Sequence, residues 1–195
     1  MARVHLDRAI ATSAMIGGLV MSGACGGSSP TTPRPPTPPP PPPMITFVSN
    51  NPAAGANSIV LVMTATGTDS FTLTLTANNV TDLFGYALDI IFDTTMIALA
   101  SSQFGVFLNG EGITVTSQMI QTTPGTLIIG QSRVGAVAGV TGSGALLSLN
   151  FTAIATGPTT IAIENTGAFD SMGVALATEF VGGTATVPAS DPRRR

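Results

Sequence analysis

The sequence predicts an all-β fold, a jelly-roll-like β-sandwich of about nine strands, on three observations. Between residues 45 and 187, short segments alternate apolar and polar residues with period two, the pattern of a strand with one face in a core. Pairs that favour tight turns, such as Asn109-Gly110 and Pro124-Gly125, punctuate those segments. The composition agrees. Charged residues make up 9% of the 195-residue chain, lysine and tryptophan are missing, and hydrophobic residues at 44% suffice for one core. No window outside the N-terminal leader sustains a 3.6-residue period, which argues against βαβ classes.

Taken in order, residues 1–24 read as a signal peptide. Arg3 and Arg8 precede an apolar run over residues 9–21 that is too short to span a bilayer. Ser22, Gly23 and Ala24 then lead to Cys25, and this stretch resembles the lipobox of bacterial lipoproteins. The resemblance implies acylation of the Cys25 thiol and attachment to a bilayer by buried methylenes. Ser22 and Ala24 also satisfy the small-x-small rule of ordinary signal peptidase, so plain secretion is the alternative. Cys25 is the only cysteine, and no intrachain disulfide can use it. Residues 25–43 form a linker. Prolines from position 30 onward fix φ and remove donors, which gives a disordered, extended polyproline II spacer of about 3.1 Å per residue.

The domain is expected over residues 44–188, followed by a disordered tail at 189–195. Phe71, Leu73, Leu75 and Ala77 share one face of a strand whose other face is threonine. Leu88, Ile90 and Phe92 share a face in the next, with Asp89, Ile91 and Asp93 opposite, and Leu147, Leu149, Phe151 and Ala153 line another. Further strands are expected at residues 45–48, 59–64, 96–100, 113–121, 126–132, 159–163 and 178–187. Turns are expected at Asn78-Asn79, Gly142-Ser143-Gly144, Gly157-Pro158 and Gly182-Gly183 as well as at the pairs above.

Residue types exclude much chemistry. The only histidine is His5, in the leader, and there is no lysine, so Ser-His, Cys-His and Schiff-base mechanisms have no residues to run on. Histidine or cysteine metal sites go with them. No EF-hand-like run occurs, and a calcium site of Asp and backbone oxygens is left as the one cation reading. The domain is therefore expected to be non-catalytic. Between residues 45 and 187, Arg133 is the only basic residue, against Asp69, Asp82, Asp89, Asp93, Glu111, Glu164, Asp170 and Glu179. Such a surface repels phosphate backbones, which excludes nucleic acid as a partner.

Six segments, in three groups, resemble the cohesin domain family. They are Val80-Thr-Asp-Leu-Phe-Gly85 with Leu88-Asp-Ile-Ile-Phe-Asp93 and Met96-Ile-Ala-Leu99; Gly142-Ser-Gly-Ala-Leu-Leu-Ser-Leu-Asn-Phe151; and Gly157-Pro-Thr-Thr-Ile-Ala-Ile163 with Gly183-Thr-Ala-Thr-Val187. The resemblance covers residues 45–187 and implies a jelly-roll sandwich that binds dockerins, small calcium-loaded helical modules, with one face. Phe92 stands where the family usually has Tyr, and Gly85 and Ala87 stand where the best-known members have polar contacts. Asp89 and Ile91, with Gln131 and Arg133 from a neighbouring strand, are the candidate partner-binding face. The implied function is a surface-anchored module that recruits a protein partner. A carbohydrate-binding module or a structural envelope or adhesion protein is the alternative. Sugar recognition would need flat aromatic platforms, and Tyr86 has the parity of the inward residues Leu88 and Phe92. Phe104, Phe107 and Phe169 are the aromatics able to reach loops.

Overall fold

The computed structural model describes Pro38 and residues 41–189, excluding the Glu111 side chain. The expected signal peptide, Cys25, nearly all of the linker and positions 190–195 lie outside the described residues. Eleven strands follow in order: β1 (Thr46–Ser49), β2 (Ser58–Thr66), β3 (Ser70–Leu83), β4 (Gly85–Phe92), β5 (Ile97–Phe104), β6 (Val115–Thr123), β7 (Thr126–Arg133), β8 (Val140–Ala153), β9 (Gly157–Phe169), β10 (Glu179–Val181) and β11 (Gly183–Val187). A 3-10 turn, Gly110–Gly112, lies between β5 and β6. The strands form a six-stranded sheet, β1-β11-β9-β4-β7-β6, and a five-stranded sheet, β10-β2-β3-β8-β5.

The inward parity read from the sequence is the one observed. Phe71, Leu73, Leu75, Leu147, Leu149 and Phe151 from one sheet meet Leu88, Ile90, Phe92, Leu127, Ile129 and Ile161 from the other, all buried. Phe151 joins the sheets. Its ring stacks on Phe71 at 5.4 Å and meets Phe92 edge-on at 5.2 Å. Asp93 follows β4, and its Oδ1 accepts from the Thr95 N–H at 2.8 Å and hydroxyl at 2.7 Å, which caps the turn into β5.

Four sequence expectations change. Gly157-Pro158 is not a turn but the start of β9, paired with β11. Asn78-Asn79 and Gly142–Gly144 are not turns: they lie inside the long paired strands β3 and β8, where the register shifts. The extra residues are on β3: Asn79 at φ 44 and Asp82 at φ 55 lie in two bulges on either side of the Val80–Gly142 pair, and the Asn79 N–H donates to Ser143 Oγ at 2.8 Å. The single strand expected over 178–187 is two. β10 runs parallel to β2 in one sheet, and β11 pairs with β1 and β9 in the other. Gly182 lies between them, where a Cβ would collide with the Ile161 carbonyl, so the strand can change sheets only at a residue without one. This split takes the ten segments read from the sequence to eleven strands, where a sandwich of about nine is expected.

Chain entry and exit share one pole of the sandwich, where Pro42, Pro43, Val187 and Pro188 line one hollow. At the opposite pole lie the end of β3, the start of β4, the end of β7 and the end of β9, because Leu83 pairs with Val140 and Gly85 with both Ser132 and Phe169.

Candidate functional site

The outer faces of the two sheets differ in character. On the five-stranded sheet, Thr72 Oγ1 donates to Asn150 Oδ1 at 2.6 Å, and Asn150 Nδ2 donates to Ser101 Oγ at 2.8 Å. The Thr74 hydroxyl lies 3.0 Å from that of Thr64 and 3.3 Å from that of Ser148. These polar groups satisfy one another across four strands, which leaves little unmet hydrogen-bonding capacity for a partner.

The six-stranded sheet is different. By register its outer face carries Gly85, Ala87, Asp89 and Ile91 on β4; Ser132, Gly130, Ile128 and Thr126 on β7; and Thr116, Gln118 and Ile120 on β6. Ile128 and Ile120 are direct cross-strand partners, 42% and 45% exposed, and Ile91 lies diagonally beside Ile128. Asp89 faces Ile128 on one side and Glu164 on the other. Its Oδ2 accepts from Asn165 Nδ2 at 2.5 Å, and Asn165 holds φ 47 at the bulge where β9 shifts register against β4.

Toward the distal pole this face sinks into a trough of about 440 Å³. Gly85, Ala87 and Gly130 form its floor, Thr116 and Gln118 one wall, and Phe169, Asp170 and Ser171 the other. Small residues make the floor low because only the Ala87 methyl rises from three neighbouring positions. The second wall is held from beneath by Asp82. Its Oδ2 accepts from the Ser171 hydroxyl at 2.7 Å and N–H at 3.2 Å, and its Oδ1 from the Gly139 N–H at 2.6 Å. The Ser171 hydroxyl first, then the two backbone donors, holds the Asp82 carboxyl below its ordinary pKa. Asp170 turns the following loop by accepting from the N–H groups of Met172 and Val174 at 2.9 and 2.8 Å.

Of the four residues expected on one binding face, the structure brings Asp89 and Ile91 together and separates the other two. Gln131 and Arg133 share the parity of Leu127 and Ile129, point inward, and are 4% and 7% exposed. Gln131 pairs with Tyr86, not with an outward residue. Tyr86 is itself buried, and burial pushes its hydroxyl above the ordinary tyrosine pKa. The positions that take the place of Gln131 and Arg133 outside are Gly130, Ile128 and Ser132. Ile120, Ile128 and the Asp82 clasp escaped the sequence reading. Phe169, already singled out as able to reach a loop, is 42% exposed at the trough wall. Among the described residues no three His, Cys, Asp or Glu side chains gather as metal ligands.

A family model described as "Cohesin domain" matches residues 58–187. No curated protein matches the chain. Among solved structures, a type II cohesin domain from the cellulosome of Acetivibrio cellulolyticus is similar at 16% identity and a TM-score of 0.56, over 68% of this chain and 95% of its own. The sixth cohesin of scaffoldin B from the same organism, solved in complex with a Cel5 dockerin mutant, is 13% identical with a TM-score of 0.55, over 66% and 96% of the two chains. A type II cohesin–X-dockerin complex from that organism, an interface mutant, matches at 17% identity and a TM-score of 0.53, over 63% and 92%. At such identities these likenesses establish the fold.

Proposed function

The chain belongs to the cohesin family, and from that premise we propose that it is a non-catalytic module that recruits a dockerin-type protein through the outer face of β9, β4, β7 and β6. One observation carries the choice of face: this sheet exposes paired isoleucines beside a trough with a floor of small residues, while the polar groups of the other sheet's outer face bond one another and leave Val62 as its one exposed large hydrophobic. A low floor admits a side chain protruding from a helix, and the isoleucines supply apolar area at the centre of the contact. Asp89 and Glu164 put two carboxylates beside that pair, so the matching surface of the partner carries donors or a cation.

Two further parts of the reading concern the leader. Cys25 is the lipid-attachment residue of an exported protein, and the proline-rich linker holds the domain off the envelope surface. Radiolabelled palmitate should enter the wild type and be lost in Cys25→Ala. Label absent from the wild type would leave plain secretion.

The binding test is calorimetric titration of the purified protein with calcium-loaded dockerin modules encoded by the same organism. A saturable one-to-one complex is expected, abolished in Ile128→Asp and unaffected by Thr76→Asp on the other sheet. Failure to bind any dockerin, together with retention on insoluble cellulose or chitin, would replace this reading with carbohydrate binding.

A further inference from the structure

Arg133 is the only basic residue between residues 45 and 187, and the fold withdraws it from the surface. It closes β7 on the inner face, 7% exposed, with its backbone N–H donating to the Phe84 carbonyl at 3.0 Å. The side-chain Nε is buried and, among the described residues, meets no acceptor. The residue borders a hollow of about 480 Å³ at the distal pole, enclosed also by Gly110, Ile113, Val137, Val140 and Thr141. A buried guanidinium nitrogen without an acceptor is unfavourable, and an anion held by the rest of the group would offset that cost. Asp82 approaches through Gly139, but its carboxylate is already held by the Gly139 N–H and Ser171.

We propose that this hollow is a carboxylate-binding site, with the Arg133 guanidinium as the planar fork that takes both oxygens of the anion. The match of geometry is the usual one between guanidinium and carboxylate, with two parallel N–H···O bonds. Ile113, Val137 and Val140 give the hollow partly apolar walls, which lower the local dielectric around such a pair. The hollow opens at the distal pole and shares no lining residue with the outer trough, so it does not depend on the dockerin-type reading. The volume suits a small organic acid or the tip of an acidic side chain, and the carboxylate is the chemistry common to both.

The test is titration of the purified full chain, at constant ionic strength, with sodium acetate, with D-glucuronate and with N-acetylglutamate amide, followed by amide NMR. Saturable shifts are expected at Gly139 and Val140. Binding should weaken at least tenfold in Arg133→Met and in Val137→Trp, which fills the hollow without touching the charge. Arg133→Met should also unfold at no lower a temperature than the wild type, a result that a purely structural arginine would not give. Tighter binding of glucuronate identifies a free sugar acid, and tighter binding of the glutamate derivative identifies an acidic side chain of a partner. Because Glu111 belongs to the turn that borders the hollow, Glu111→Gln is titrated as well. No saturable shift in the wild type, undiminished binding by Arg133→Met, or binding that emerges only in Glu111→Gln would each overturn the proposal.

Discussion

Substituting Gly130 by phenylalanine separates the proposed binding role of the trough from its role in the fold. A Cβ built on Gly130 meets only the Tyr86 carbonyl, at 3.9 Å, an ordinary contact. At the neighbouring floor position Gly85, the same atom would press on the Ser132 side chain and the Gln131 carbonyl at 3.0–3.1 Å. Gly130 therefore accepts a side chain without a backbone shift, and that side chain leaves the sheet into the 440 Å³ trough. Glycine inside a strand is roughly 0.5–1 kcal/mol worse than alanine, and aromatic residues favour strands, so Gly130→Phe should be at least as stable as the wild type. A ring standing in the middle of a contact that buries about 800 Å² per partner prevents closure around it. The expected loss of dockerin affinity is at least 100-fold, about 2.7 kcal/mol. Calorimetry measures the affinity and urea unfolding the stability, with Thr76→Phe on the opposite sheet as control. If Gly130→Phe binds within threefold of the wild type while unfolding normally, the trough is not the binding surface.

Phe151→Ala should cost about 3–5 kcal/mol in urea unfolding, because it empties a fully buried site and breaks both ring contacts between the sheets. A loss under about 1 kcal/mol would mean that Phe151 does not bridge them. Asn150→Ala removes the bonds to Thr72 and Ser101 on the ladder and should lower stability by roughly 1 kcal/mol with an unchanged m-value. The Asp82 carboxyl is held below its ordinary value of 3.8, so its contribution is complete above that pH and is lost as pH falls through the lower folded-state value. Asp82→Asn should flatten that acid limb of the stability profile and loosen the Ser171 wall; an unchanged limb would assign the acid sensitivity to other carboxylates.

The fold was legible because its signals are local. Thr72, Thr74 and Thr76 alternating with Leu73, Leu75 and Ala77 state which face is dry, whatever the strand pairs with. The site was only half legible, because a face shared by several strands depends on register, which no strand states about its neighbours. Residues 127–129 read Leu-Ile-Ile, so hydrophobicity alone does not say whether Ile128 or its neighbours face the core. Gln131 and Arg133 then look like surface residues by type, although Leu127 and Ile129 have their parity. Pairing of Tyr86 with Gln131 decides the matter. The break at Gly182 is of the same kind: the clash that makes glycine necessary is with Ile161, a residue 21 positions earlier. Asn79 in its bulge and Gly142 opposite it carry the residue types of turns because both stand at positive φ, as a turn residue does.

The pairing of β1 with β11 has a mechanical consequence. A pull arriving through residues 41–43 acts along the axis of β1, whose four residues from Thr46 to Ser49 are zipped antiparallel to the closing strand β11. Load in that direction stretches the ladder bonds together in shear instead of peeling them one at a time. The first piece at risk is a four-residue edge strand, and the sheet beneath it, β11-β9-β4-β7-β6, can stay whole when β1 slips. A domain drawn on by the proposed tether would thus yield a few residues of slack before its proposed binding face felt any distortion.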